Sequence, residues 1–261
     1  MRMSVDMRDA VRTELGLFLL AVQFLTRLPV PRDLPFSDDL LIRATKYYPL
    51  VGLLVGVIGA VVLVLAARWL PLPVAVLLSL AATLLATGAF HEDGLADAAD
   101  GLWGGQTAVR RLEIMRDSRI GTYGAVSLGV VLALKVTLLT SFAPGVAGWL
   151  LLLGHALGRM ASVHVIATTG YARETGAKFV VPSVTPDGYR LALSLSMAVL
   201  ILGVLALGSG AVLLGFGLCI LLGQGVRLVC RAKIGGYTGD CLGATQQLGE
   251  LGIYLGAALW L

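Results

Sequence analysis

Six apolar stretches of nearly membrane-spanning length leave this chain few ways to fold. They cover about residues 49–67, 72–90, 123–142, 146–168, 191–207 and 211–229, and a shorter seventh covers 248–261. A hydrocarbon core about 30 Å thick takes roughly 20 helical residues, and in lipid every backbone N–H and C=O must be satisfied internally. Composition removes the soluble alternative. Only 14% of the 261 residues are Asp, Glu, Lys or Arg, and mean hydropathy is +0.86, whereas soluble domains carry about 25% charge. The expected fold class is all-α: a polytopic transmembrane helix bundle of about six to seven spans, one integral membrane domain over residues 1–261.

The apolar run at 15–25 is different. Its 11 residues reach roughly 16 Å as a helix, too short to cross. Arg2, Arg8 and Arg12 precede it, no small-residue cleavage site follows, and Arg27 with Pro29-Val30-Pro31 comes directly after. A retained interfacial helix is expected, its surface or half-inserted position left open.

Loop charge sets orientation. Arg2, Arg8, Arg12, Arg27, Arg32, Arg43 and Lys46 lie before the first span, and Arg110, Arg111, Arg116 and Arg119 lie between the second and third. Arg173, Lys178 and Arg190 fall at 170–190, and Arg227, Arg231 and Lys233 at 227–249. The alternate connections are short and carry one charge, Arg68. Excess Lys and Arg face the cytoplasm. Segments of about 91–122, 170–190 and 227–249 therefore form one cytoplasmic face, and a bacterial inner membrane is the expected location. The net charge of +4 is accounted for by these topology signals and a phosphate-handling site, with no nucleic acid. Glycines at small-residue spacing, such as Gly52 and Gly56, read as helix packing. Cys219, Cys230 and Cys241 lack metal-knuckle spacing and read as reduced thiols.

The chemistry gathers where a span meets that face. In His91-Glu92-Asp93-Gly94-Leu95-Ala96-Asp97-Ala98-Ala99-Asp100, Asp93, Asp97 and Asp100 stand at i, i+4, i+7. On a helix they fall within about 60° of one another. Three carboxylates so close call for a cation, and oxygen ligands without cysteine suit Mg²⁺; a solvated acidic helix end is the plain rival. Next, Arg116-Asp117-Ser118-Arg119-Ile120-Gly121 offers guanidinium forks for phosphate oxygens, although alternating signs also mark a salt-bridged surface. In Lys233-Ile234-Gly235-Gly236-Tyr237-Thr238-Gly239-Asp240, a glycine-rich loop opens a helix, and Gly239 suits an approaching phosphate. Asp240 reads as ligand, base or N-cap. Inside a span, Arg159 costs a few kcal/mol or more at bilayer depth, so a polar cavity and a carboxylate or phosphate partner are expected. His155 shares its face, His164 reads as a headgroup-level residue, and Lys135 as a side chain able to snorkel. These features point to metal-assisted phosphoryl or phosphodiester chemistry.

At these residues the chain resembles the cobalamin synthase family, also called adenosylcobinamide-GDP ribazoletransferase. The resemblance rests on Phe24-Leu25-Thr26-Arg27-Leu28-Pro29-Val30-Pro31, on 90–97, on 113–122 and on 236–244, in order along almost the whole chain. It implies that adenosylcobinamide-GDP is joined to α-ribazole or its 5′-phosphate with loss of GMP, and that Mg²⁺ is required. On that basis Asp93, Asp97 and Asp100 are expected to hold Mg²⁺. Asp117 or Asp240 would complete the site or draw the hydroxyl proton, and Arg116, Arg119 and Arg159 would grip phosphate oxygens. Residues 174–190 are a candidate lid. The expected partners are the two substrates and the lipid bilayer, with a homo-oligomer left open.

Two rival readings are weaker. A CDP-alcohol phosphotransferase shares the start of its pattern with Asp97-Ala98-Ala99-Asp100-Gly101, but Leu102-Trp103-Gly104-Gly105 replaces the remainder. A transporter would place its functional charges near the membrane midplane, in repeated halves.

Overall fold

A computed structural model describes residues 2–172 and 181–261, with backbone alone for residues 2–8. The candidate lid falls partly outside these, at 174–180. Eleven α-helices make up the described chain: α1 Arg2–Leu25, α2 Asp38–Ala44, α3 Tyr48–Ala66, α4 Leu72–Thr87, α5 Phe90–Gly104, α6 Ala108–Ile114, α7 Thr122–Thr140, α8 Pro144–Thr168, α9 Pro186–Leu207, α10 Ser209–Ile234 and α11 Gly239–Trp260.

Local chemistry explains the boundaries. Ser37, Thr107, Thr185 and Thr238 cap α2, α6, α9 and α11 with side-chain oxygens that accept backbone N–H groups. Proline stands in the first turn of α3, α4, α8 and α9, where a missing N–H costs nothing. Gly88 and Gly235, both left-handed, end α4 and α10.

Among the described residues, five helical segments are long and apolar enough to cross a membrane: Asp38–Ala66, α7, α8, α9 and α10. A sixth crossing is open to the α4–α5 pair, which bends by 87°. The bend corrects the expected span of 72–90. The helix stops at Thr87, and Gly88 and Ala89 take φ of 65° and 55° before a new helix begins at Phe90. A left-handed alanine costs roughly 1–2 kcal/mol, so the elbow is held by its surroundings. The Arg27 N–H donates to Ala86 O at 2.7 Å across it.

The final helix also differs from expectation. Rather than a short span at 248–261, α11 has 22 residues, about 33 Å, and is packed between α5, α7, α8 and α10. Enclosure by protein explains how it carries Gln246, Gln247 and Glu250, all buried, without failing in lipid. The helix α1 is longer than the expected 15–25 and is not among the segments apolar enough to cross. It buries Leu17, Leu20, Ala21 and Leu25, and Glu14 ties it to Lys46 and to the Tyr47 hydroxyl, each at 2.6 Å.

Close helix contact depends on glycine, as the spacing of Gly52 and Gly56 suggested. A Cβ at Gly56 would lie 2.8 Å from Leu151 O, and one at Gly52 would collide with the backbone of α8 at His155. In the same way Gly252 lets α11 lie against Cys219 of α10. The three cysteines are free and buried.

Candidate active site

The three polar stretches converge at one end of the bundle. The α5 helix lies across the start of α11, where a Cβ at Gly94 would lie 3.2 Å from Gly243 Cα and 3.1 Å from Asp240 O. Two facing glycines thus bring Asp240 beside the turn of α5 that carries Asp93 and Asp97. At the other end of α5, Lys233 Nζ donates to Leu102 O at 2.8 Å and sits 4.0 Å over the Trp103 ring. A cation there also suits the carbonyl end of a helix. Arg111 Nη1 donates to Lys233 O at 2.9 Å, which draws in α6.

The expected i, i+4, i+7 geometry holds, since Asp93, Asp97 and Asp100 share one helix, although it is not a continuation of the span. The three differ in role. Asp93 is exposed, Asp97 is half-buried and Asp100 is buried. Asp100 Oδ2 accepts the Gly121 N–H at 2.7 Å and Oδ1 accepts the Gly124 N–H at 2.8 Å. It therefore covers the open N–H groups at the start of α7, where an anion is favoured. A side chain at Gly121 or Gly124 would collide with its carboxylate. Among the described residues no three His, Cys, Asp or Glu form a ready metal cage.

Asp117 and Arg119 are brought together, with each other. Asp117 Oδ1 accepts Arg119 Nε at 3.0 Å, and Oδ2 accepts Nη2 at 2.7 Å. This exposed pair holds the Asp117 carboxyl down at about 2, mainly through the hydrogen bonds from Arg119. Arg116 is exposed on the same turn. Gly239 is the exposed first residue of α11, with open space where a side chain would stand. Thr238 Oγ1 lies 3.1 Å from Asp240 Oδ2.

Arg159 is not on this open face. It is 1% exposed inside the bundle, where Nη1 donates to His155 O at 3.1 Å and Nε has no hydrogen-bond partner. It belongs to a sealed polar network that the sequence did not reveal. Glu250, fully buried, pairs with Lys135 Nζ at 2.8 Å and accepts Tyr254 OH at 2.9 Å and Gln246 Nε2 at 2.7 Å. His155 Nδ1 lies 3.3 Å from its other oxygen. Lys135 also donates to Gln247 Oε1, and Gln247 Nε2 donates to Glu92 Oε1, both at 2.7 Å. The network therefore ends on the inward face of α5, next to Asp93. Lys135 does not snorkel, because its ammonium is buried against Glu250 and Gln247. His164 meets the Tyr189 hydroxyl at 2.7 Å.

The chain matches known proteins along most of its length. The family model described as cobalamin-5-phosphate synthase matches residues 17–258. Among similar curated proteins are the adenosylcobinamide-GDP ribazoletransferases of Shewanella sp. (strain ANA-3) and Shewanella baltica (strain OS155 / ATCC BAA-1091). Each is 41% identical over 255 residues, covering 95% of both chains. That of Shewanella putrefaciens (strain CN-32 / ATCC BAA-453) is 40% identical over 256 residues, with the same coverage. No solved structure matches the chain. A match over nearly the full length, with the acidic helix and the glycine-rich start of α11 both inside it, establishes that the chain belongs to the cobalamin-5-phosphate synthase family.

Proposed function

We propose that the chain is an adenosylcobinamide-GDP ribazoletransferase, joining adenosylcobinamide-GDP to α-ribazole or α-ribazole 5′-phosphate with release of GMP. The observation that carries this reading is the open face of α5, where Asp93 and Asp97 stand beside Asp240 through the Gly94–Gly243 contact. The names of the relatives supply the substrate.

A ribose hydroxyl oxygen attacks the phosphorus that stays on the corrinoid. The new P–O bond forms as the bond to GMP breaks, GMP leaves with that electron pair, and the hydroxyl proton passes to a carboxylate. Asp240 is the group we assign to the proton, because the Gly94–Gly243 contact sets it beside Asp93 and Asp97. Arg116 and Arg119 face phosphate oxygens, and the start of α11 at Gly239 offers backbone N–H groups to the leaving phosphate.

The donor set fits Mg²⁺. This ion is usually held by one or two carboxylates plus substrate phosphates and water rather than by a protein cage, and Asp93 and Asp97 meet that description. When bound, Mg²⁺ neutralises pyrophosphate charge and makes the phosphorus a better electrophile. Asp100 keeps α7 in register beneath them, and Arg159 balances charge behind α5. We place the face on the cytoplasmic side of the inner membrane, on the strength of the Lys and Arg in its loops.

The test is GMP release by purified protein given both substrates, with Mg²⁺ and with EDTA. Release that needs both substrates and the metal is expected. A folded preparation that releases none contradicts the reading.

A further inference from the structure

The segment Phe24-Leu25-Thr26-Arg27-Leu28-Pro29-Val30-Pro31 takes no part in the chemistry above, yet it borders a cleft of about 520 Å³ between α1, α2 and the α4–α5 elbow. That volume belongs to the class that encloses a nucleotide-sized ligand. Five of its lining side chains are apolar: Leu20, Phe24, Phe36, Leu41 and Phe90. Arg27 is the one cationic side chain among them.

Three features mark the cleft as a built site. Phe36 is 68% exposed and Phe90 41% exposed, so two ring faces remain available in a chain able to bury such rings. Phe24 braces Phe90 edge-on, with centroids 5.7 Å apart. Arg27 is fixed at its base by the bond from its N–H to Ala86 O and lies along Gly88, where a Cβ would come 2.6 Å from Nε. The glycine at the elbow thus leaves room for the arginine as well as turning the chain.

The position of the cleft suggests its occupant. Phe90, Asp93 and Asp97 stand at i, i+3, i+7 on α5, so the ring at the cleft shares a helix face with both aspartates. Residues three apart on a helix have Cβ atoms about 5–6 Å apart, roughly the step from a nucleoside base to its sugar. A base lodged among the rings would carry its ribose toward Asp93. The rings of Phe24, Phe36 and Phe90 give a fused apolar base a stacking surface, and Gln23, Thr26, Asp38 and Thr87 in the same lining are placed to meet its ring nitrogen and ribose hydroxyls.

We propose that this cleft is the acceptor-nucleoside subsite. The fused aromatic base of the acceptor packs against Phe36 and Phe90, and Arg27 takes its 5′-phosphate when one is present. The proposal rests on the transferase reading for the identity of the nucleoside. It assigns Arg27 the choice between α-ribazole 5′-phosphate and α-ribazole, and Phe36 the affinity for both.

The experiment compares wild type with Phe36→Ala and Arg27→Gln, both changes at exposed positions. Equilibrium dialysis measures binding of α-ribazole and of its 5′-phosphate, and GMP release measures the KM of each substrate. Phe36→Ala is expected to weaken both nucleosides about tenfold. Arg27→Gln should weaken the phosphorylated one by a similar factor and leave α-ribazole within twofold. The KM for adenosylcobinamide-GDP should stay within twofold in both variants. Unchanged nucleoside Kd and KM in both variants would overturn the proposal, as would a shift confined to adenosylcobinamide-GDP. Loss of vesicle association with unchanged KM would show a lipid contact instead, and would also overturn it. Wild type that binds the nucleotide but releases no GMP would sink the transferase reading and leave the cleft standing.

Discussion

The protein holds two sets of acidic side chains on opposite sides of one helix, and it treats them in opposite ways. On the inward side of α5, Glu92 and Glu250 are buried and tied to Gln247, Lys135, Tyr254 and Gln246. On the outward side, Asp93 and Asp97 are left where a ligand can reach them. Burial decides the difference. A carboxylate in a dry bundle must find partners within the protein or cost several kcal/mol; Glu250 is fully paired and Glu92 holds Gln247 through one oxygen, so the inner set serves the fold. An outer carboxylate stays within reach of solvent, where it can meet a metal ion and, through it, a phosphate-bearing substrate.

The largest effect should come from breaking the outer set. Asp93→Asn is expected to lower GMP release by about 10²–10³-fold and to leave the unfolding midpoint in detergent where it was, because the side chain is exposed. A comparable fall in midpoint would place Asp93 with the inner set. The inner set should give the reverse signature. Lys135→Met leaves Glu250 without its ammonium partner and should cost about 3–5 kcal/mol of stability. Replacing both, as Lys135→Met with Glu250→Leu, should recover part of that loss, with unfolding in detergent as the readout. A double variant no more stable than the single would mean that the pair is not the unit that matters.

Asp100 lies between these extremes, since it is buried but faces backbone. Asp100→Ala removes the acceptor for the Gly121 and Gly124 N–H groups and should cost about 1–3 kcal/mol, together with faster hydrogen exchange at the start of α7. Unchanged exchange there would remove it as a support. The smallest effect concerns the exposed pair. The folded carboxyl of Asp117 is held at about 2 by Arg119, below its ordinary value of 3.8. Its contribution is therefore present above about pH 4 and lost as pH falls toward 2. Asp117→Asn should leave the shape of the activity profile above pH 5 unchanged, and a new inflection there would show that Asp117 titrates in the reaction.

How much of this was legible in the sequence depends on the range over which each feature acts. Most of the spans, their short connections and the i, i+4, i+7 carboxylates are local patterns, and the structure has them. The elbow at Gly88-Ala89 was missed because hydropathy runs unbroken to Phe90 while the backbone turns on two left-handed residues. Lys135 and Glu250 belong to different helices far apart in the chain, and no local spacing pairs them. One signal was available: Gln246, Gln247 and Glu250 fall at i, i+1 and i+4 in the last helix, a polar face that lipid would not tolerate. Arg159 was recognised as needing a partner, but its place in the inner network depended on the position of α11. Asp100 looked the equal of Asp93 and Asp97 until the amides of α7 were seen to occupy it.

The central claim is that the outward carboxylates of α5 do the chemistry. The direct measurement is Mg²⁺-dependent GMP release by Asp97→Asn, in protein shown to be folded and membrane-inserted, beside wild type. The account predicts that release falls by at least about 10²-fold while the variant stays folded and membrane-inserted. Full activity with an unaltered Mg²⁺ requirement would contradict it.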